Sequence, residues 1–184
     1  MCEHDEKWKA ISLRYFNPIG AHPSGLLGEA ISKKISNIMP HIINVALRKV
    51  SHLDIYGNDY DTKDGTGVRD YIHIMDLVDG HIAALLNLDK QNRHNVFNLG
   101  TGKGISVLEL VKAFEEVSNQ EIPYQFKKKR KGDTDTLVCD NTRAYKLLKW
   151  RPKNSNINKI IVDEIRWIRF FSKRGIVRKF KNYF

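Results

Sequence analysis

Segments of strand character alternate with segments of helical periodicity along the chain. Ile11 to Phe16 alternates in polarity and is rich in β-forming residues, which predicts a strand that ends at Asn17 and Pro18. The apolar residues from Ile74 to Leu86 recur at the spacing of one helix face. This alternation predicts an α/β fold. The same patterns predict strands at 53–56, 68–72, 96–99, 124–126 and 137–140, and helices starting near Pro40, after Ser106, and over 141–149 and 157–171.

The predicted strands are short and few for a parallel sheet. Parallel strands need crossover connections, and their sheets are normally covered on both faces, so such a sheet is built from several strands. Two interpretations stay open. Either another chain supplies the remaining strands, or the sequence is part of a longer protein.

The formal net charge of +10 is carried by two short stretches of the 184-residue chain. Lys127 to Lys131 supplies five basic residues, and the segment after Glu164 supplies seven without an acidic one. The rest of the chain is close to neutral. Runs of like charge are usually solvated, and no base-stacking or helix-turn-helix motif accompanies them, so nucleic acid is not expected as a partner.

Several classes of site find no support in the sequence. The amino-terminal residues are polar and no apolar run is long enough to cross a bilayer, so neither a secretory signal nor a membrane partner is predicted. Cys2 and Cys139 form no disulfide framework, which favours a reducing, cytoplasmic location. The scattered histidines predict no metal site. Cys139 has no evident histidine partner and no Gly-x-Ser-x-Gly motif is present, so nucleophilic catalysis is not predicted.

Two glycine-rich segments are candidates for binding phosphate. Gly100 to Gly104 follows a strand and precedes a helix, but it matches neither the dinucleotide nor the P-loop pattern and is interpreted as a structural turn. In the other segment, Arg69 follows the loop that ends at Gly67 and precedes Asp70. A guanidinium oriented by a carboxylate suits a diphosphate. A structural Arg–Asp pair in a turn explains the segment equally well.

Five motifs lie in series along the chain: Leu13 to Gly25 (LRYFNPIGAHPSG), Asn37 to Pro40 (NIMP), Tyr56 to Tyr60 (YGNDY), Asp64 to His73 (DGTGVRDYIH) and Phe97 to Gly102 (FNLGTG). In this order they resemble the UDP-glucose 4-epimerase family of extended short-chain dehydrogenases/reductases. The resemblance runs from about Ile11 to Phe171 and covers most of the chain. Several motifs in order are more specific than any one of them.

The resemblance implies an architecture and a reaction. The family joins an amino-terminal Rossmann domain that holds NAD to a smaller domain that holds a UDP-sugar, and it interconverts UDP-galactose and UDP-glucose in galactose metabolism. This chain resembles the second half, with an extension over 1–10, the UDP-sugar-binding region over 11–174 and a basic tail over 175–184. In the family, the NAD fingerprint and the catalytic Tyr-x-x-x-Lys precede the segment that corresponds to Tyr15 to Pro18, and neither motif lies before that segment in this sequence. The chain is therefore expected to lack most of the parallel sheet and, by itself, to be inactive.

Residue roles also follow from the resemblance. Phe16 is expected to lie against the nicotinamide of NAD, and Asn17 to contact the nucleotide-sugar. Asn37 and Ile38 are expected to reach the diphosphate from a helix start. Leu137 occupies the position whose bulk is thought to gate N-acetylated sugars, which leaves the use of UDP-N-acetyl hexoses open.

The remaining assigned residues concern the nucleotide. Arg69 and Arg130 are expected to neutralise the diphosphate, and Asp133 to accept hydrogen bonds from the ribose hydroxyls. The uracil is expected to lie against a short strand with an aromatic face, formed by Asp54, Ile55 and Tyr56.

The expected ligand is a UDP-sugar, with NAD as the cofactor of the full-length family. Two partner arrangements stay open, a homodimer and a pairing with a full-length epimerase. A face that meets the Rossmann half is expected to be apolar. An alternative function also stays open, in which the chain binds a UDP-sugar or an epimerase without catalysing a reaction.

Overall fold

The structure, a computed structural model, describes residues 8–30, 37–90 and 94–173. Most of the predicted amino-terminal extension and the predicted basic tail lie outside the described residues. The elements are β1 (Ala10–Tyr15), β2 (Asn17–Ile19), α1 (Ile38–Ala46), β3 (Leu53–Tyr56), β4 (Val68–Arg69), β5 (Tyr71–His73), α2 (Ile74–Leu86), a 3-10 turn (Leu88–Lys90), β6 (His94–Leu99), β7 (Ile105–Ser106), α3 (Val107–Ser118), β8 (Tyr124–Lys127), β9 (Thr136–Leu137), α4 (Thr142–Leu148) and α5 (Ile157–Lys173).

The strands form small, mostly parallel sheets in place of one wide sheet. β1 and β6 pair in parallel over their whole length, from Ala10 opposite His94 to Tyr15 opposite Leu99. β2 pairs with β5 and β3 with β8, also in parallel, while β4 lies between an antiparallel β7 and a parallel β9. The prediction of an α/β fold that lacks most of a parallel sheet is confirmed.

The predicted first strand corresponds to β1, which ends at Tyr15, but a further strand that the sequence pattern did not predict, β2, begins at Asn17. The Phe16 amide donates to the carbonyl of Leu99 (3.1 Å), and the Asn17 amide donates to the carbonyl of Asp70 (2.9 Å). The extended chain therefore changes its partner after β1 and continues as β2 beside β5. Pro18 offers no amide donor, which a three-residue strand in a two-stranded sheet tolerates.

Two other boundaries differ from the sequence pattern. The strand predicted over 137–140 covers only Thr136–Leu137. Beyond it, the amide of buried Cys139 donates to the Asp70 carboxylate (3.1 Å) and not to a neighbouring strand. The helix predicted near Pro40 begins at Ile38, and Pro40 lies in its first turn, where a missing amide donor is no loss.

Two apolar cores hold these elements together. Helices α1, α3 and α5 and strand β3 enclose the larger core, which contains fully buried Phe114 and Ile160. Helices α2 and α4 and strand β6 enclose the smaller core around Phe97 and Leu148. None of the helices in the described ranges is long and apolar enough to span a membrane.

Helix α3 begins as its sequence predicts. The hydroxyl of Ser106 accepts from the Glu109 amide (3.0 Å), and the Ser106 amide donates to the Glu109 carboxylate (2.9 Å), which forms a reciprocal capping box. The helix then turns Leu110, Val111 and Phe114 into the larger core, where each is at most 2% exposed.

Helix α2 buries only part of its apolar stripe. Leu77 and Ala84 are each 5% exposed, and Gly80 lies so close to β6 that a Cβ there would be 2.7 Å from Leu99 Cδ1. Four other apolar side chains of the helix face solvent, with 41 to 71% of their surface exposed. This surface is called the α2 outer face and consists of Val78, Ile82, Leu85 and Leu86.

Candidate functional site

A cleft of about 650 Å³ opens where β2, β4 and β3 meet the start of α1. It brings together segments that are more than a hundred positions apart in the sequence. It is called the main cleft. Nine of the eleven residues assigned from the resemblance line it: Asn17, Asn37, Ile38, Asp54, Ile55, Tyr56, Arg69, Arg130 and Asp133.

Arg69 is half-buried at the end of β4 and brings a positive charge to the main cleft. Its Nη1 donates to the carbonyl of Val68 (2.8 Å) and lies 3.5 Å from the carbonyl of Asp135. Neither contact neutralises the charge. No acidic side chain in the described ranges forms an ion pair with Arg69, so the guanidinium is left to attract an anion.

Asp70 does not orient Arg69, so the proposed Arg–Asp pairing is wrong. Its carboxylate is fully buried and accepts from the amide (2.8 Å) and hydroxyl (2.6 Å) of Thr101 and from the amides of Gly102 (2.8 Å) and Cys139 (3.1 Å). The glycine-rich turn thus offers these amides to a carboxylate of the same chain. This agrees with the interpretation of that turn as structural.

Asn37 and Ile38 sit at the start of α1, as predicted. Asn37 occupies the position before the first helical residue, but its side chain makes no capping hydrogen bond. The amide group of Asn37 and the first amides of α1 are therefore available to a ligand in the main cleft. Tyr71 lies in the adjacent strand, opposite Asn17. Burial raises the pKa of Tyr71 to about 12, although the nearby charge of Arg69 opposes this.

Strand β3 presents an edge to the main cleft. It pairs with β8 alone among the described strands, so its other edge keeps unpaired backbone donors and acceptors. Ile55 points into the core and is 2% exposed. The Asp54 carboxylate accepts from the side chain of Gln125 (2.7 Å) and lies 3.4 Å from His52 Nε2. Because that side chain is engaged on the β8 side, Asp54 has mainly its backbone to offer a ligand.

Tyr56, Arg130 and Asp133 form one wall of the main cleft. The guanidinium of Arg130 lies 5.0 Å from the centre of the Tyr56 ring, and its Nε donates to the Asp133 carboxylate (2.8 Å). The arginine side chain is 59% exposed, so this ion pair contributes little to stability. The pair leaves the two terminal nitrogens of Arg130 without a hydrogen bond to the described residues.

Phe16 and Leu137 are not part of the cleft wall. Phe16 is half-buried at the break between β1 and β2. Leu137 is 49% exposed and lies beside Arg69 in the strand register. Each of them is next to a residue of the cleft wall: Phe16 precedes Asn17 in the sequence, and Leu137 is opposite Arg69 in the strand register.

Nine further residues of the cleft wall were given no role from the sequence, and four of them are histidines or tyrosines: His41, His52, Tyr60 and Tyr71. His41 lies one helical turn after Asn37, a spacing that could have indicated it. Tyr60 is 5% exposed, and its hydroxyl has no hydrogen-bond partner among the described residues. A buried hydroxyl without a partner is costly, so this one suits a polar group of a ligand.

Cys139 is the buried free thiol of the described residues. Burial, reinforced by the charges of Asp70 and Asp140, raises the pKa of the Cys139 thiol to about 12, so the thiol stays protonated at neutral pH. In the described ranges, no group of three or more His, Cys, Asp and Glu residues is arranged to hold a metal ion.

The chain is similar to known proteins over most of its length. A model of the GDP-mannose 4,6 dehydratase family matches residues 1–162. The UDP-glucose 4-epimerase of Bacillus subtilis is 48% identical over 163 residues, which are 89% of this chain and 48% of that protein. The UDP-glucose 4-epimerase of Bos taurus is 46% identical over 167 residues, which are 91% of this chain and 48% of that protein.

Solved structures show the same relationship. UDP-glucose 4-epimerase from Bifidobacterium longum, in complex with NAD+ and UDP, matches with a TM-score of 0.84 and 42% identity over 94% of this chain and 50% of that one. UDP-glucose 4-epimerase from Stenotrophomonas maltophila, with bound NAD and formylated UDP-arabinopyranose, matches with a TM-score of 0.85 and 40% identity. The match covers 90% of this chain and 49% of that one. The chain spans about half the length of the curated relatives it matches. It belongs to the family described by the GDP-mannose 4,6 dehydratase model, and its resemblance to UDP-glucose 4-epimerases is confirmed over that half.

Proposed function

We propose that this chain binds a UDP-sugar in the main cleft and forms the nucleotide-sugar-binding part of a UDP-glucose 4-epimerase, which interconverts UDP-galactose and UDP-glucose. The observation that carries the proposal is the convergence of nine assigned residues on one cleft. These residues lie between Asn17 and Asp133 and come from separate strands, a helix start and a loop. Their placement on one cleft supports a single ligand site.

The charges of the main cleft suit a diphosphate. Arg69 has no acidic partner in the described chain, and Arg130 uses only its Nε for Asp133. Two guanidinium groups supply paired N–H donors and positive charge, which match the oxygens of a diphosphate. The side-chain amide of Asn37 and the first amides of α1 add neutral donors on the facing wall.

The nucleoside is proposed to lie along β3. The open edge of this strand can donate to and accept from the uracil, and the ring of Tyr56 supplies an aromatic face. Asp133 accepts from the ribose hydroxyls in this arrangement. The hydroxyl of Tyr60, which is buried without a partner in the described structure, supplies a further hydrogen-bonding group.

The described residues offer only part of a binding site for NAD, the cofactor bound in the solved structures of the relatives. When bound, NAD would supply the hydride acceptor for the oxidation of the sugar, and Phe16 is the residue proposed to touch it. The glycine-rich turn after β6 cannot hold the dinucleotide phosphates, because Asp70 occupies the amides of Thr101 and Gly102. The residues present therefore do not form a complete NAD site. We expect no turnover from the 184-residue chain alone.

The α2 outer face is the proposed contact surface for a partner protein. Its four apolar residues lie on a helix beside β1, and the exposed Tyr15 of β1 is hydrogen-bonded to His81 of that helix (2.7 Å). β1 pairs only with β6 among the described strands, so its other edge is open. We propose that this surface meets the Rossmann part of an epimerase. A homodimer through the same face is the alternative, and a cytoplasmic location stays a prediction.

A calorimetric titration with UDP tests the binding proposal. Arg69→Ala should weaken UDP binding about tenfold or more, because a hydrogen bond to a charged group contributes about 1.5–3 kcal/mol. The matched control is Lys112→Ala, which removes an exposed positive charge from α3, outside the main cleft. The control should bind UDP like the wild-type chain, and circular dichroism checks that both variants are folded.

Two results would count against the proposal. A folded wild-type chain that gives no heat with UDP has no such site, and equal UDP affinity in Arg69→Ala and wild type removes the role of Arg69. A separate assay mixes the chain with NAD+ and UDP-galactose. Formation of UDP-glucose by the chain alone would overturn the expected lack of turnover.

A further inference from the structure

A second cavity, of about 500 Å³, lies between the Gly100–Gly104 turn, α4 and the segment from Arg151 to Asn156. It shares no lining residue with the main cleft. Its wall contains three basic residues, Lys103, Arg151 and Lys153, and no acidic residue. It is called the basic cavity.

The three cations of the basic cavity have no counter-charge in the described chain. Lys103 and Lys153 are exposed and form no ion pair with any described residue. The guanidinium of Arg151 lies 3.7 Å from the centre of the Tyr145 ring. Stacking on an aromatic ring fixes the plane of the guanidinium while its N–H groups remain free to donate.

Buried carboxylates hold both walls of the basic cavity in place. Asp70 binds the turn through Thr101 and Gly102, as described above, and Asn141 adds a bond from its side-chain amide to the Gly100 carbonyl (2.9 Å). On the other wall, Asp76 binds the segment that carries Lys153. The cavity is thus bounded by loops that are anchored and not merely adjacent.

The second carboxylate does not cancel the basic charge of the cavity. Asp76 is 1% exposed and accepts from the amides of Lys153 (2.9 Å) and Asn154 (2.8 Å) and from the hydroxyl of Ser155 (2.5 Å). Burial opposes ionisation, but these bonds outweigh it and hold the pKa of Asp76 below its usual value. The carboxylate is therefore satisfied by backbone and hydroxyl donors, and the Lys153 ammonium group stays unpaired.

We propose that the basic cavity binds a small phosphorylated molecule. Three cations that line one cavity and form no ion pair with the described residues attract an anion with more than one negative charge, such as a phosphate ester or a diphosphate. The side-chain NH2 group of Asn156 lines the same cavity, and only the oxygen of that side chain is engaged within the described chain, so the NH2 group suits a hydroxyl of such a ligand. The inference goes beyond the proposed function and does not rest on it, since the main cleft is lined by other residues.

Inorganic pyrophosphate is the probe for this site, titrated calorimetrically into the full chain at physiological ionic strength. The measurement is made in an Arg69→Ala background, which removes a main-cleft cation. Lys103→Ala with Lys153→Ala should then weaken pyrophosphate binding about tenfold or more, because two charge-assisted bonds are lost. The matched control is Lys90→Ala with Lys112→Ala, which removes two exposed lysines outside both cavities.

The outcomes separate the basic cavity from general charge attraction. The proposal expects the control to bind pyrophosphate as the background chain does. It is overturned if the control and the cavity variant lose the same affinity, or if the background chain binds no pyrophosphate. UDP affinity of the Lys103→Ala, Lys153→Ala variant, measured with Arg69 intact, reports separately on the main cleft and should match that of the wild type.

Discussion

Asp76→Asn should destabilise the protein strongly, because it removes hydrogen bonds that several donors make to one buried carboxylate. One carboxylate oxygen of Asp76 accepts from the amide of Lys153 and the side-chain amide of Asn154 (2.9 Å each). The other accepts from the amide of Asn154 (2.8 Å) and the hydroxyl of Ser155 (2.5 Å). An asparagine has only one oxygen. In one orientation the Ser155 hydroxyl meets an NH2 group, while the Asn154 amide keeps its 3.0 Å contact to the retained oxygen. In the other orientation the Lys153 amide and the Asn154 side-chain amide meet the NH2 group.

The size of the effect follows from this count. Each hydrogen bond to a charged group contributes about 1.5–3 kcal/mol, so the loss of one or two costs about 1.5–6 kcal/mol, a large part of the 5–15 kcal/mol of a typical domain. The matched control is Asp79→Asn. It makes the same substitution on the exposed side of α2 and should change the free energy of unfolding by less than about 0.5 kcal/mol.

Urea unfolding followed by tryptophan fluorescence measures both variants. Trp150 is a suitable reporter because its indole N–H donates to the backbone carbonyl of Asp76 (3.0 Å). The folded-state pKa of Asp76 lies below its usual value, so its contribution is present above about pH 4 and is lost as the pH falls further. The difference in the free energy of unfolding between wild type and Asp76→Asn should therefore become smaller below about pH 4. Equal stabilities of the Asp76 and Asp79 variants at pH 7 would refute the reasoning.

Three further changes give measurable results. Burial raises the pKa of Glu164 to about 7, so wild-type stability falls as the pH rises from about 4.5 to 7. The fall in the free energy of unfolding reaches up to about 3 kcal/mol at pH 8, and urea titrations at several pH values measure it. Glu164→Gln should remove this fall, whereas the exposed control Glu116→Gln should keep it. Gly28→Ala should cost about 1–3 kcal/mol in thermal unfolding, because its Cβ would lie 2.5 Å from the Trp167 ring; an unchanged melting temperature would contradict the close packing. Leu86→Glu should reduce self-association in sedimentation experiments, since this side chain is 71% exposed on the α2 outer face; unchanged association would remove that face as the contact.

Local signals in the sequence predicted most of the elements. The capping box at Ser106 and Glu109 marked the start of α3, and the apolar spacing that follows predicted its buried side. The loop from Gly57 to Gly67 and the helix from Ile74 to Leu86 also lie where composition and periodicity placed them. These features depend on neighbouring residues, which is why a single sequence reveals them.

The errors arose where distant residues decide the structure. β2 exists because the Asn17 amide meets the Asp70 carbonyl, and the last strand stops because Cys139 donates to the Asp70 carboxylate. Neither contact has a local signal. The periodicity of α2 predicted apolar residues on its surface but not which of them other elements would cover. The exposure of Leu85 and Leu86 could therefore not be predicted from their spacing.

The candidate site was predicted by resemblance and not by residue chemistry. Arg69 alone allowed two interpretations, and the pairing of Arg130 with Asp133 became visible only in the fold. Tyr60 has no sequence signal that distinguishes it from a core tyrosine, yet its hydroxyl is buried without a described partner in the wall of the main cleft. A family pattern can transfer such positions, whereas composition and spacing cannot.

Hydrogen exchange with and without UDP tests the central claim most directly, because it locates the ligand on the chain. If UDP binds in the main cleft, added UDP should slow amide exchange at 37–41, 53–56 and 67–69, at the start of α1, along β3 and around β4. Amides of α4 and the 151–156 segment, which border the basic cavity, should exchange as before. Protection confined to that second region, or no protection in a folded chain, would contradict the account.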